Sequence, residues 1–152
     1  MAITKLKHHQ INNIAPSFGG YLNTAQSVTD GNWNAVGWDT DTRDDFNMHD
    51  PSSNPERITV PEDGKYIVNC LISWSGGTGV TQADIDLMKN NTSDIDISGD
   101  TMLDSRRYLF VEAMVNMTEG DYVSIKVKFV GNTGTVSLRA LECGIQVTKI
   151  AE

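Results

Sequence analysis

The stretch RITVPEDGKYIVNCLISW, residues 57–74, decides the architecture of this chain. Ile58 and Val60 alternate with polar neighbours up to Pro61, and Glu62-Asp63-Gly64 has the residue types of a tight turn. Beyond it Tyr66, Val68, Cys70, Ile72 and Trp74 recur at every second position, so five large side chains share one face of an extended segment. The spacing predicts a short strand, a turn, and a long strand through the middle of a sheet.

Upstream, Tyr21–Ala25 and Asn32–Trp38 read as strands joined by the turn Thr29-Asp30-Gly31. The span from Asp39 to Asn54, rich in aspartate and closed by Pro51 and Pro55, reads as a long surface loop. Downstream, Ser75–Gly79 is a glycine-rich turn, and Ala83, Ile85 and Leu87 alternate into a polar loop from Lys89 to Asp100. The next strand has Leu109, Val111, Ala113 and Val115 on one face and Tyr108, Phe110 and Met114 on the other. Both faces are apolar, which predicts that the second is covered by another subunit. Tyr122–Phe129 alternates most regularly, Gly131–Gly134 is a hairpin turn, and Val136–Ile150 is the closing strand. Eight to ten short strands without a helical period define an all-β sandwich or barrel.

Residues 1–18 follow a different pattern. Ile3, Leu6, Ile11 and Ile14 are irregularly spaced among polar residues and cannot build a core, so the segment is predicted to be an anchoring arm ahead of a domain at 19–152.

Three segments carry a family resemblance: Val60-Pro61-Glu62-Asp63-Gly64-Lys65-Tyr66-Ile67-Val68, Ile85–Asn90, and Met117-Thr118-Glu119-Gly120-Asp121-Tyr122-Val123. They resemble the hallmark motifs of complement C1q and tumour-necrosis-factor-like domains, Met117 replacing the usual leucine, and Gly144 matches a small residue in that family's closing strand. The resemblance implies an antiparallel two-sheet jelly-roll sandwich. It also implies a homotrimer about a threefold axis, with Tyr108, Phe110 and Met114 in the subunit interface.

Composition narrows the function. Twelve Lys and Arg against twenty Asp and Glu give a net charge of −8, which opposes nucleic-acid binding. No apolar run approaches the roughly 18 residues of a membrane-spanning helix, and the amino end lacks a secretory h-region, which points to synthesis in a cytoplasm. Cys70 and Cys143 fall on core faces, where reduced thiols behave as small apolar residues; a bridge between neighbouring strands is the alternative. Asn90, Asn91 and Asn116 match glycosylation sequons, which have no meaning without secretion.

Catalysis lacks its parts. The only histidines, His8, His9 and His49, lie on the arm and in a loop, too few and too scattered for a cupin-type metal triad or a nucleophile–histidine pair. The chain is therefore read as a non-enzyme without a cofactor. Calcium is the ion its acidic segments would suit, through Asp39, Asp41, Asp44 and Asp45 or through Asp94, Asp96 and Asp100, although neither set has EF-hand spacing. Some C1q-like trimers hold calcium near their axis, so the resemblance keeps that option open. Trp33, Trp38 and Trp74 would serve either the core or a sugar platform.

An acidic domain with neither signal peptide nor collagenous stalk, led in by a short arm, is similar to the C1q-like modules on tailed-phage virions. The expected function is a capsid decoration protein or fibre-tip module, bound to capsid or fibre shaft through the arm. A start at Met1 without a shaft sequence favours decoration. The alternative is a module that binds a host receptor or glycan through its outward loops.

Overall fold

The computed structural model describes residues 15–101 and 107–152, and every regular element among them is a strand. In chain order these are β1 (Ser17–Tyr21), β2 (Gln26–Val28), β3 (Asn34–Ala35), β4 (Thr40–Asp44), β5 (Ile58–Thr59), β6 (Gly64–Thr78), β7 (Gln82–Lys89), β8 (Ser93–Thr101), β9 (Tyr108–Met117), β10 (Tyr122–Val130), β11 (Thr133–Leu138) and β12 (Gly144–Ala151). They form two antiparallel sheets. In the larger, β6 pairs with β9 along one edge and with β12 and then β11 along the other; β1 and β4 continue beyond β12, and β2 flanks β11. The smaller runs β3-β10-β7-β8, with β5 also against β10.

The organising strand behaves as its alternation requires. Tyr66, Val68, Cys70, Ile72 and Trp74 are all essentially inaccessible and face Ile85, Leu87, Ile125, Val127 and Phe129 of the opposite sheet in one core cluster. The Trp74 and Phe129 rings meet at a centroid distance of 5.1 Å and an angle of 58°, the tilted geometry that aromatic pairs favour.

The hallmark turn closes the core at one end with charge. Lys149 Nζ lies 2.7 Å from Glu62 Oε1, with both side chains buried, and the Tyr66 hydroxyl donates to the Glu62 carbonyl at 3.0 Å. Gly64 occupies the tightest point, at φ +154°: a Cβ there would stand 2.6 Å from the Ala151 carbonyl oxygen. Any larger residue would push β12 away from β6.

Several boundaries differ from the sequence reading. Ser17 and Phe18 belong to β1, where Phe18 is fully buried, so the sandwich takes up the last two residues assigned to the arm. Ile3, Leu6, Ile11 and Ile14 lie outside the described residues. The supposed surface loop after Asp39 contains β4, and the polar segment after Lys89 contains β8. Both are edge strands whose Asp, Thr and Ser content masks the period-two pattern, and charge is how exposed edges avoid pairing with other chains. The single closing strand is two, β11 and β12, separated at Leu141, which adopts φ +64°.

Candidate functional site

The outer face of the larger sheet is where this fold leaves apolar surface uncovered. Cross-strand register sorts it into rows. One row runs Tyr21, Gly144, Leu71, Phe110, with Tyr108 next along β9. The second runs Gly19, Gln146, Asn69, Glu112, and the third Ser17, Thr148, Ile67, Met114. Residues directly opposite on antiparallel strands have Cβ atoms about 5 Å apart, so each row is a continuous band of side chains. Two bands containing apolar residues thus flank a polar one.

Tyr108, Phe110 and Met114, the predicted interface residues, are 56%, 53% and 67% exposed in the single chain. Their neighbours on β9, Leu109, Val111 and Val115, are buried in the core. Alternation therefore holds along the whole strand, and the outward aromatics are its solvent-side half. Leu71 and Leu141 extend the patch, at 42% and 70% exposed. Neither was expected there, and alternation with Cys143 had put Leu141 on the core face. Leu71 was legible as an apolar residue on the second face of β6, whereas Leu141 is brought there by a turn: its N–H donates to the Leu22 carbonyl at 2.7 Å, in a left-handed conformation uncommon for leucine.

A groove of about 530 Å³ lies within this face, between Tyr21 and Leu141 on one side and Tyr108 and Phe110 on the other, with Gly19, Gly20 and Gly144 among its lining. The absence of side chains along Gly19 and Gly144 makes the depression. In the polar band the Asn69 Oδ1 is buried without a hydrogen-bond partner among the described residues.

The acidic candidates do not assemble into one site. Asp39 accepts from the backbone amides of Asn23 and Thr24 at 2.5 and 2.9 Å. Asp44 accepts from the amides of Met48 and His49 at 2.7 and 3.1 Å, Asp41 binds His49 Nδ1 at 2.7 Å, and Asp45 pairs with Arg43 at 2.7 Å. Each carboxylate has its own donor in a separate turn or strand end, and no group of three ligating side chains gathers among the described residues. Burial raises the Asp39 carboxyl, but its bonds from the Asn23 and Thr24 amides and from the Thr24 and Thr40 hydroxyls together outweigh it and hold the group below the usual carboxylate range. Asp94, Asp96 and Asp100 belong to β8 and pair along β7 instead of forming a loop.

The cysteines are both buried and unbridged. Cys143 Sγ contacts the Ser73 carbonyl at 3.1 Å, and burial pushes both thiols up, so neither is a thiolate nucleophile. Trp38 and Trp74 are core residues; Trp33 is 40% exposed, with Lys128 Nζ 5.9 Å from its ring centroid. His49 is wholly buried, which its place in a polar segment did not foretell.

Comparison with solved structures yields the same architecture. Murine APRIL superposes with a TM-score of 0.67 at 10% identity, over 90% of this chain and 100% of that one. The globular domain of zebrafish complement 1qA protein gives 0.66 at 15%, over 91% and 99%, and Eiger TNF from S. frugiperda gives 0.63 at 14%, over 91% and 94%. No family model matches the sequence, and no curated protein does. The chain thus has the C1q and tumour-necrosis-factor jelly-roll fold, reached with little sequence in common.

Proposed function

We propose that this chain is a non-enzymatic structural protein that assembles as a homotrimer through the outer face of its larger sheet, and that it serves on the virion of a tailed phage. The observation that carries the assembly is the pair of apolar bands holding Tyr108, Phe110, Leu71 and Met114 at the surface of an otherwise well-covered sandwich. Two or more such bands across one sheet form the kind of contiguous patch that a lone soluble domain does not keep exposed. In a homotrimer each subunit's copy of this face is covered by a neighbour, and the groove between Tyr21 and Phe110 supplies a recess for that neighbour's side chains. The orphaned Asn69 acceptor lies in the same face, where a neighbour's donor can reach the polar band.

The virion role rests on the acidic sequence and on the irregular apolar pattern ahead of β1, with residues 1–16 as the attachment to capsid or fibre shaft. A host receptor or glycan module is the second reading, favoured by the open Trp33 ring beside Lys128 on the other sheet. Light scattering on the purified chain tests the assembly: a particle of three times the 16.7 kDa chain mass is expected, and a monomer at tens of micromolar overturns it. Copy number in purified virions separates the roles, since decoration requires a stoichiometry comparable to the capsid protein. Retention on immobilised host glycans with low copy number favours the second.

A further inference from the structure

We propose that the cleft between residues 47–54 and the Arg57–Tyr122 pair is a binding subsite for one unit of a neutral saccharide. The inference rests on the glycan-binding reading above and gives it a site in the loops. It does not depend on the assembly face, with which the cleft shares no lining residue. Asn47, Asp50, Asn54, Arg57, Thr59 and Tyr122 line a depression of about 680 Å³. A volume of that order falls in the range of small-ligand sites.

The loop that walls the cleft is held in one shape. Residues 45–57 join β4 to β5 without a strand of their own, and a connection of about a dozen irregular residues in a compact domain is usually either functional or disordered. This one is pinned along its length. Asp44 accepts from the amides of Met48 and His49, and Asp50 from those of Ser52 and Ser53. The Arg57 amide donates to the Asn54 carbonyl at 3.0 Å, and the Thr59 amide to the Met48 carbonyl at 2.7 Å. The Met48 side chain is buried in the core. A wall fixed before the ligand arrives avoids the ordering cost that a mobile loop would add to binding.

The groups turned into the cleft are of both hydrogen-bonding kinds. The Arg57 guanidinium rests on the Tyr122 ring, 4.6 Å from its centroid, and Nε pairs with Glu56 at 3.1 Å. Both Nη groups remain as donors among the described residues, in a plane that the ring helps to set. Asp50 uses Oδ1 for the Ser52 and Ser53 donors, which leaves Oδ2 as an acceptor; the Ser52 hydroxyl, first among those donors, helps to hold the carboxyl below its usual range and so ionised. The Asn47 amide and the Thr59 hydroxyl add groups that both donate and accept. Because Arg57 and Asp50 offset each other, a carboxylate or phosphate loses to Asp50 what it gains from Arg57. Sugar hydroxyls donate and accept at once, so they satisfy both.

Amide proton–nitrogen spectra of the intact chain test the subsite. The probes are the methyl glycosides of glucose, galactose, mannose and N-acetylglucosamine, with glucuronate and inorganic phosphate as anionic comparisons. At least one neutral glycoside is expected to shift the amides of 47–57 and 120–122, with a dissociation constant of about 1–10 mM for a ligand of this size. Arg57→Ala should weaken that binding about tenfold or more, the loss of hydrogen bonds from a charged group, while the rest of the spectrum stays in place. The wild-type titration decides alone should the variant not fold. Unaltered binding by the variant, shifts with glucuronate or phosphate only, or no shift in the cleft at about 50 mM of every neutral glycoside overturns the subsite. Shifts centred on Trp33 instead overturn it and keep the glycan-binding reading, whereas no shift anywhere counts against both.

Discussion

Phe110→Ala separates the proposed assembly face from the fold because the ring lies outside the core. In the single chain 53% of the residue is exposed, so of the roughly 200 Å² an aromatic side chain can bury, about 100 Å² remains for a partner. At about 25 cal/mol per Å², and allowing for the Cβ that alanine keeps, each subunit contact loses about 2 kcal/mol. That weakens association roughly thirtyfold at each interface. The monomer should hardly notice, since surface substitutions of this kind stay within about 0.5 kcal/mol. Sedimentation velocity over a dilution series reads the first quantity, and urea unfolding below the dissociation range reads the second. A variant whose dissociation range coincides with that of the wild type would refute the assignment of Phe110 to the interface. One whose folding stability drops by the full 2 kcal/mol would show that the ring belongs to the subunit's own core.

Lys149→Met takes the ammonium away from the buried Glu62 carboxylate and is expected to cost up to about 3–5 kcal/mol in urea unfolding, whereas the double variant with Glu62→Leu recovers most of the loss. Asp121 is held well below the usual carboxylate range by the Asn90 amide, the Lys89 ammonium and the Thr118 amide. A lowered carboxyl stabilises the fold above its unfolded value of about 3.9 and loses that contribution as pH falls further, so Asp121→Asn should flatten the acid limb of the stability curve. An unchanged acid limb would count against these contacts. Both thiols should resist a water-soluble disulfide reagent in the native state and react once urea unfolds the chain, because burial keeps Cys70 and Cys143 protonated and covered. Gly64→Ala should destabilise by more than about 2 kcal/mol, measured as a fall in urea midpoint, since the Ala151 backbone cannot yield locally.

What could be read in advance follows from the range of each signal. The alternation of Tyr66 to Trp74, the turn at Glu62–Gly64 and the two-faced pattern of Tyr108–Val115 are local, so one-dimensional spacing determined which side chains would be buried, which strand would be central and which would keep aromatics outside. The acidic edge strand β4 escaped because a strand paired on one side need not bury every second residue, and β8 because its Asp and Ser content hides an apolar alternation. Other features belong to tertiary structure alone. Lys149 meets Glu62 across 87 positions, Leu141 joins Leu71 only after a turn reverses the chain, and Asp41 faces a buried His49 instead of gathering with its acidic neighbours. Periodicity tells a side chain which face it occupies; only the register between distant strands decides which other side chains it finds there.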